Sequence, residues 1–332
     1  MKAAYLRTTG APDVIEVGEL PEPEPKAGEV LIRVSAVSLN PIDTYIRAGT
    51  VKMQLPQPYI VGSDLAGTVE SIGSGVTRFK VGDRVWGSNQ GLLGRQGACA
   101  ELVNVHEDWL YPTPDGVSDE TAAAGALVGI TAHLGLFRFA RLQKGETVFV
   151  NGGTGGVGSM VVQMTHAVGG KAICTVGTEE KAKTCREMGV EHVINYKTED
   201  VPARIKGATG DQGVDVWYET QRSHDFEKII GLMRQRGRMI VMAGRASKPD
   251  FPVGPFYVKD LSLFGFAMFN ASPDEQRECA DDMNRWYAEK KVAPLIGATF
   301  PLAETAQAHK VLEENTMQGG GELKGKVVIS IN

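Results

Sequence analysis

The sequence predicts an α/β protein in which a doubly wound parallel sheet is joined to a strand-rich region. Three observations predict this class. A glycine-rich turn joins a strand pattern to a helix pattern at residues 147–168, strand and helix patterns alternate from there to residue 266, and the first 120 residues are rich in strand and turn signals. A strand, a crossover helix and a second strand form the unit from which parallel sheets are built.

The glycine-rich turn is the strongest signal. Residues 147–158 read TVFVNGGTGGVG, so an apolar run ends on Gly153-x-Gly155-x-x-Gly158. The first glycine permits a tight turn, the second lets a pyrophosphate approach the backbone, and the third lets the next helix pack closely. The helix N-terminus then faces the phosphates. We therefore predict a bound dinucleotide at this loop, contacted by residues Gly153, Thr154, Gly155, Gly156, Val157 and Gly158.

The alternation after the turn predicts six strands with helical crossovers, which is the pattern of a Rossmann domain. The predicted strands are Thr147–Asn151, Lys171–Val176, His192–Ile194, Val214–Tyr218, Arg238–Met242 and Ser262–Phe266. We expect a strand-rich domain at 1–122, the dinucleotide-binding domain at 123–268, and a C-terminal segment at 269–332 that returns to the first domain.

Composition excludes several classes of function. The chain has 332 residues, 42% hydrophobic and 23% charged, with a net charge of −5 and no basic stripe, which argues against nucleic acid as a partner. The N-terminus has no apolar signal core, and we expect no apolar run that spans a bilayer. The four cysteines are widely spaced, which suits a reducing cytoplasm and forms no metal cluster. We therefore expect a cytoplasmic location.

The end of the second predicted strand discriminates between NAD and NADP. NAD-binding domains carry an acidic residue there, but this chain has Gly177 and Thr178, followed by Lys181 in the next helix. This pattern favours the 2′-phosphate of NADPH, although a solvated lysine is the alternative. We add Tyr196 and Arg245 as predicted cofactor contacts, each of which could equally be an exposed loop residue.

Several motifs, in order, resemble those of the medium-chain dehydrogenase/reductases, and specifically the zinc-free, zeta-crystallin-like quinone oxidoreductase branch. The resemblance runs over nearly the whole chain and rests on residues 37–49 (VSLNPIDTYIRAG), 62–69 (GSDLAGTV), 82–85 (GDRV), 127–132 (LVGITA), 152–158, 176–181 and 193–196. It implies a GroES-like catalytic domain at 1–122, a Rossmann NADP-binding domain, and a cleft between them.

The same resemblance implies that the catalytic metal of the zinc alcohol dehydrogenases is absent. At the three positions where those enzymes place a Cys, a His and a further Cys, this chain has Asn40, Ser63 and Leu127. An amide, a hydroxyl and an aliphatic side chain do not replace thiolate and imidazole as zinc ligands. We therefore expect no metal.

Without a metal to stabilise an alkoxide, the acceptors that suit hydride transfer are those that delocalise charge. The prediction is an enzyme that transfers hydride or electrons from NADPH to a quinone. Asn40 and Tyr45 are the predicted catalytic residues and Thr131 a predicted nicotinamide contact, all three carried over from the family pattern. Some members of the branch carry a lysine where this chain has Val128.

Two other functions stay open at this point. One is the NADPH-dependent reduction of an enone or a 2-enoyl thioester, with Tyr45 as proton donor. The other is a non-catalytic NADPH-binding protein, either crystallin-like or RNA-contacting. We also predict a homodimer formed through the last Rossmann strand, Ser262–Met268, because a bare apolar edge strand invites pairing.

Overall fold

The structure is a computed structural model that describes residues 1–317 and 321–331. The strands are β1 (Lys2–Leu6), β2 (Glu16–Glu19), β3 (Glu29–Leu39), β4 (Tyr59–Ile60), β5 (Asp64–Ile72), β6 (Arg84–Gly87), β7 (Leu102–His106), β8 (Leu110–Pro112), β9 (Thr147–Asn151), β10 (Lys171–Val176), β11 (His192–Asn195), β12 (Val214–Glu219), β13 (Met233–Val241), β14 (Ser262–Gly265), β15 (Ile296–Pro301) and β16 (Lys326–Ser330). The helices are α1 (Pro41–Arg47), α2 (Asp119–His133), α3 (Gly156–Ala167), α4 (Glu179–Glu187), α5 (Val201–Thr209), α6 (Phe226–Leu232), α7 (Val253–Val258), α8 (Pro273–Ala288) and α9 (Thr305–Met317).

The chain forms two compact units. Unit 1 comprises Met1–Leu127, Ser272–Ala288 and the described part of Pro294–Asn332, and unit 2 comprises Val128–Ala271 and Glu289–Ala293. The sequence-based boundaries fall after residues 122 and 268, and these units change after Leu127 and after Ala271.

Unit 2 contains a six-stranded sheet in the order β11-β10-β9-β12-β13-β14, and every neighbouring pair is parallel. Counted along the chain this is the order 3-2-1-4-5-6 of a doubly wound sheet. The order reverses between β9 and β12. This strand order and the parallel pairing confirm the predicted α/β fold with a Rossmann domain. The strands β9 and β10 also have the predicted bounds.

The core of unit 2 lies between its sheet and the crossover helices. Phe149 on β9 and Trp217 on β12 are buried, with ring centroids 4.0 Å apart. The crossover helix α5 begins where the side chain of Asp200 accepts a hydrogen bond from the Ala203 N–H. It ends at Gly210, whose positive φ of 57° supplies the left-handed turn that stops a helix.

Unit 1 is built around a seven-stranded sheet in the order β15-β16-β3-β5-β6-β8, with β7 also paired to β3. The smaller sheet has the order β2-β1-β4. The last strand, β16, pairs with β3 in register Val327↔Leu39, so the C-terminal segment completes the first domain's sheet. This pairing brings the start of β16 next to Asn40, the residue that follows β3.

The edge strand of the unit 2 sheet is shorter than predicted. β14 is the outermost strand, as expected, but it ends at Gly265, and the chain then enters a short turn of helix at Met268–Asn270. The predicted strand Ser262–Met268 is therefore wrong at its C-terminal end. Gly265, which lacks a side chain to pack, weakens the strand at this point.

Within residues 1–317 and 321–331, one helical stretch is apolar enough to span a membrane by length and composition alone. It runs over Asp119–Phe139, where α2 continues into a π-helical segment at Leu134–Phe139, and 78% of its apolar window is buried in the structure. The sequence-based expectation that no apolar run is long enough is therefore wrong by this criterion. Burial of this extent is the pattern of a core helix.

Candidate active site

The first and third glycines of the glycine-rich loop have no room for a side chain. A Cβ on Gly153 would lie 2.5 Å from the Sγ of Cys174, and a Cβ on Gly158 would lie 2.0 Å from the carbonyl oxygen of Gly152. Gly153 donates its N–H to the Thr175 carbonyl oxygen at 2.9 Å, which ties the turn to β10. Close packing of strand, turn and helix therefore fixes both positions.

The second glycine of the loop is open. The nearest atom to a Cβ on Gly155 would be the Gly152 carbonyl oxygen at 3.5 Å, an ordinary contact distance. Gly155 is the N-cap of α3 and has no side chain to bond the first N–H groups of the helix. The helix therefore begins with uncapped amides beside an open glycine, which is the arrangement that binds a phosphate.

Four of the predicted cofactor residues meet at the carboxyl end of β10. A Cβ on Gly177 would lie 2.8 Å from the hydroxyl of Tyr196, so this phenol lies directly against the glycine. Thr178 is the N-cap of α4 and accepts a hydrogen bond from the Lys181 N–H at 3.2 Å. Glu179, the first residue of α4, forms a salt bridge with Arg186 at 2.5 Å.

The other two predicted cofactor residues lie elsewhere in unit 2. Thr131 is 3% exposed, and its carbonyl oxygen accepts a hydrogen bond from the hydroxyl of Tyr218 at 2.8 Å, which attaches α2 to β12. Arg245 is exposed in the loop after β13. No hydrogen bond or salt bridge among the described residues joins Arg245 to the other predicted contacts.

In unit 1, Asn40 lies at the centre of a buried polar cluster. Its backbone N–H donates to Asp43 Oδ2 at 2.7 Å, and its side-chain Nδ2 donates to Ser63 Oγ at 3.1 Å and to Asp64 Oδ2 at 2.7 Å. The Ser63 hydroxyl donates to Asp43 Oδ2 at 3.2 Å. All four residues are buried, so each hydrogen bond is made away from water.

The cluster contains one cation. The ammonium of Lys326, the first residue of β16, donates a hydrogen bond to Asn40 Oδ1 and lies 3.9 Å from Asp64 Oδ2. Asp64 Oδ2 also accepts the Leu127 N–H at 3.3 Å. Asn40, Ser63 and the backbone of Leu127, the three positions that the resemblance aligns with zinc ligands, are therefore joined through Asn40 and Asp64, with the Lys326 ammonium beside Asn40.

Burial governs the electrostatics of this cluster. The pKa of Asp43 is raised to about 7, chiefly by burial and also by the nearby Asp64 carboxyl, against the lowering effects of the hydrogen bond from the Asn40 N–H and of Lys326. Burial likewise raises the pKa of Asp64 and lowers the pKa of Lys326, since each group loses hydration of its charged form. The opposite charges of Lys326 and Asp64 partly offset that loss.

Tyr45, the second predicted catalytic residue, is half-buried on α1. The Asn40–Asp43 contacts start this helix, and the backbone carbonyl of Tyr45 accepts a hydrogen bond from the Thr50 hydroxyl at 3.1 Å just beyond its end. The helix therefore holds Tyr45 at a fixed position relative to the buried cluster.

Sequence reasoning missed Lys326 and Asp64. Asp64 follows Ser63 directly and opens β5, and Lys326 opens an apolar strand of sequence KVVIS. A charged residue that begins a buried strand is a weak signal, because a solvated strand end is the commoner outcome. The partner of Lys326 is 286 residues away in the sequence, so only the pairing of β16 with β3 shows it.

Comparisons with known proteins agree with this architecture. Residues 26–115 match the family model of the alcohol dehydrogenase GroES-like domain, and residues 156–286 match that of the zinc-binding dehydrogenases. A quinone oxidoreductase of Rattus norvegicus is 34% identical over 330 residues, which covers 99% of this chain and 97% of the relative. The chain belongs to the medium-chain dehydrogenase/reductase family, in its quinone oxidoreductase branch.

Solved structures of the family match the whole chain. A structure described as an NAD-dependent alcohol dehydrogenase has a TM-score of 0.88 at 30% identity and covers 100% of both chains. The Escherichia coli quinone oxidoreductase complexed with NADPH has a TM-score of 0.84 at 27% identity and covers 99% of this chain and 100% of that one. This member of the family is therefore an oxidoreductase that uses a nicotinamide cofactor.

The family includes zinc-dependent members, so the donor set has to be compared with a metal's requirements. Among the described residues, no group of three or more His, Cys, Asp or Glu side chains is placed to hold a metal ion. At the three positions that the resemblance aligns with zinc ligands, the side chains are the amide of Asn40, the hydroxyl of Ser63 and the aliphatic group of Leu127, and the Lys326 ammonium lies beside the amide. Zinc does not fit this set.

Proposed function

We propose that this protein reduces a quinone with NADPH, by transfer of hydride or electrons, and that it does so without a metal. The observation that carries the proposal is the carboxyl end of β10. There Gly177, Thr178 and Lys181 stand where an NAD-specific domain has an acidic side chain, and the hydroxyl of Tyr196 lies against Gly177.

The cofactor supplies the hydride, and the chain's residues bind and orient it. The uncapped start of α3 and the open Gly155 would hold the pyrophosphate, while the packed Gly153 and Gly158 fix the turn. Thr178, Lys181 and Tyr196 would surround the 2′-phosphate. Thr131 and Arg245 are further proposed contacts, to the nicotinamide and to a phosphate respectively.

The contacts of the buried cluster favour different roles for Asn40 and Tyr45 in binding the acceptor. Both hydrogens of the Asn40 amide are used by Ser63 and Asp64, and its oxygen is used by Lys326. Asn40 must give up one of these bonds before it can donate to a substrate. We propose that Tyr45 hydrogen-bonds the acceptor and supplies a proton, and that Asn40 acts within this cluster.

The proposed assembly is a homodimer through the edge strand of unit 2, shortened to Ser262–Gly265. Val253, Tyr257 and Val258 on α7, the helix that precedes this strand, are more than 60% exposed, and Leu263 on the strand is 39% exposed. An apolar edge with an apolar helix face favours a second copy of the same surface. Light scattering should give twice the chain mass at micromolar concentration, and a monomer would contradict the proposal.

The proposed location of the protein is the cytoplasm, which suits its widely spaced cysteines.

A substrate panel tests the reaction class. Steady-state rates would be measured with a benzoquinone, a conjugated enone and a 2-enoyl thioester, each with NADPH. We expect the largest kcat/KM for the quinone, because without a metal the acceptor itself must delocalise the incoming charge, and a quinone does so over two carbonyls as its ring becomes aromatic. A strong preference for the thioester would replace the proposed reaction with enoyl reduction. Tight NADPH binding without turnover of any acceptor would indicate a non-catalytic role.

A further inference from the structure

A buried carboxylate lies at the carboxyl end of β12. Glu219, the last residue of this strand, is 2% exposed. Its two oxygens accept hydrogen bonds from Asn151 Nδ2 at 3.0 and 3.1 Å, from the Gln221 N–H at 2.7 Å, and from Trp217 Nε1 at 3.1 Å. Each of these partners is an N–H donor, and no described salt bridge involves Glu219.

Hydrogen bonds connect this carboxylate to the glycine-rich loop. Glu219 is in register with Asn151 on β9, and Thr175 on β10 lies on the other side of Asn151. The Thr175 hydroxyl donates to Asn151 Oδ1 at 2.8 Å and accepts the Gly152 N–H at 2.9 Å. Three successive contacts therefore lead from Glu219 to the peptide that opens the loop.

The loop after β12 is attached to the same place. The Thr220 hydroxyl donates a hydrogen bond to the Asn151 carbonyl oxygen, and a Cβ on Gly152 would lie 2.7 Å from Gln221 Nε2. The position of the Glu219 carboxylate is thus fixed by the chain on both sides. A rigid charge of this kind needs no reorganisation when a ligand changes its own charge.

The location of Glu219 gives this charge its significance. β9 and β12 are the two strands between which the order of the sheet reverses. In doubly wound sheets the ligand binds in the crevice outside the carboxyl ends of the strands at that reversal. Asn151 and Glu219 end the two strands, so they lie at the edge of the crevice where the proposed cofactor binds.

The hydrogen-bond partners favour the ionised form of Glu219. A neutral carboxylic acid requires an acceptor for its own proton, and the described partners offer donors only. Burial is the largest influence and leaves the pKa of Glu219 raised, while the bonds from Trp217, Gln221 and Asn151, together with the charge of Lys228, oppose that rise. The N–H donors therefore stabilise the ionised form of this carboxylate at contact distance, as a cation does in a buried salt bridge.

We propose that the fixed negative charge of Glu219 stabilises the oxidised nicotinamide relative to the reduced one, and so makes bound NADPH a stronger hydride donor. When bound, the cofactor would give a hydride to the quinone from its neutral ring and keep one positive charge, and the reduced quinone would take its proton from Tyr45, as proposed above. A nearby buried carboxylate attracts only the charged form. This inference rests on the proposed NADPH-binding function.

The test compares the dissociation constants of NADPH and NADP⁺ by titration calorimetry. For Glu219→Gln, which removes the charge, we expect NADP⁺ to weaken on the order of tenfold relative to NADPH. For Glu219→Asp, which keeps the charge on a shorter side chain, both ligands weaken and their ratio stays within about twofold. The matched control is Glu227→Gln, an exposed position in the first turn of α6, which leaves both constants unchanged.

Each outcome bears on one proposal. If the wild-type protein binds neither ligand, the proposed function fails. If it binds both and Glu219→Gln leaves the ratio unchanged, the inference about Glu219 is overturned while the function stands. A double variant covers the case in which Glu219→Gln does not fold. Asn151→Asp combined with Glu219→Gln places the carboxylate on β9 instead of the neighbouring β12. If the ratio of the NADP⁺ and NADPH dissociation constants stays within about threefold of wild type, the inference is supported, and a shift of tenfold or more overturns it.

Discussion

Two regions of the molecule bury carboxylates in different ways. In unit 1, Asp43 and Asp64 share a cluster with the ammonium of Lys326, so charge is offset by charge. In unit 2, Glu219 is held by N–H groups of Asn151, Trp217 and Gln221, so charge is offset by dipoles. The two arrangements differ in hydrogen bonding as well: both oxygens of Glu219 accept hydrogen bonds, whereas Oδ1 of Asp43 and Oδ1 of Asp64 are buried without a partner.

This difference predicts different roles: the cluster around Lys326 anchors parts of unit 1 to one another, and Glu219 acts on the charge of a bound ligand. The field of the Asp64–Lys326 pair largely cancels outside the cluster, so its main effect is to hold β16, β3 and the start of α1 together. Glu219 forms no salt bridge among the described residues and Lys228 attracts it only from beyond contact distance, so the proposed effect of its charge reaches a ligand bound at the sheet reversal. Substitutions in the first region should therefore affect stability, and those in the second should affect cofactor binding.

The largest effect is expected for Lys326→Met. This change leaves Asp64 and Asp43 without their buried counter-charge, and loss of one partner of a buried pair typically costs about 3–5 kcal/mol. The free energy of unfolding in urea, measured at pH 7, checks it. The control Lys310→Met removes an exposed lysine from α9 and should change stability by less than about 0.5 kcal/mol. A loss below about 1 kcal/mol for Lys326→Met would show that the cluster is not an anchor.

The next effect concerns the glycine-rich loop. In Gly158→Ala, the new Cβ would lie 2.0 Å from the Gly152 carbonyl oxygen, so the loop has to move. We expect NADPH to bind about a hundredfold more weakly, the size of effect that a 1 Å misplacement produces. Gly207→Ala, where a Cβ would meet nothing within 4 Å, is the matched control for fluorescence titration. Unchanged binding in Gly158→Ala would mean that this glycine does not shape the site.

A moderate effect is expected in the pH dependence of stability. Burial raises the pKa of Asp43 from 3.8 to about 7, so the folded state holds a proton that the unfolded state releases between these values. Stability contributed by this group therefore falls as the pH rises from about 4 to about 7. Asp43→Asn should remove on the order of 3 kcal/mol of that fall, at about 1.4 kcal/mol per pKa unit, and the exposed control Asp250→Asn should not. Identical pH profiles for wild type and Asp43→Asn would contradict the prediction.

The smallest effect is expected for Lys181→Met. Because this lysine lies in the first turn of α4, close to the N-cap Thr178, its loss should weaken NADPH binding by about three- to fivefold and leave NADH binding unchanged. Lys183→Met, two residues further along the same helix, is the control. If Lys181→Met weakened NADPH and NADH binding equally, Lys181 would not contact the 2′-phosphate.

The fold could be predicted largely from local pattern. β9 and β10 have their predicted bounds because each is a short apolar run between glycine or polar residues. The end of the edge strand could not be predicted, since the apolar pattern of Ser262–Met268 continues past the point where pairing with β13 stops at Gly265. Pairing depends on the neighbouring strand, which periodicity does not describe.

The site could be predicted only where a motif is contiguous. The glycine-rich loop and the Gly177–Lys181 segment each lie within a few residues, so their spacing carries the information. Lys326, Asp64 and Glu219 could not be found, because their partners come from other strands of the sheet. Nothing local distinguishes a buried carboxylate at a strand end from a solvated one.

The most direct test is the ratio of kcat/KM for NADPH to that for NADH, measured with a benzoquinone as the common acceptor. We expect a ratio well above one, on the order of tenfold or more, because no acidic residue follows β10 and Gly177, Thr178 and Lys181 lie there instead. The ratio should be the same before and after treatment with a metal chelator. A ratio below one, or loss of quinone reduction on chelation, would contradict the account.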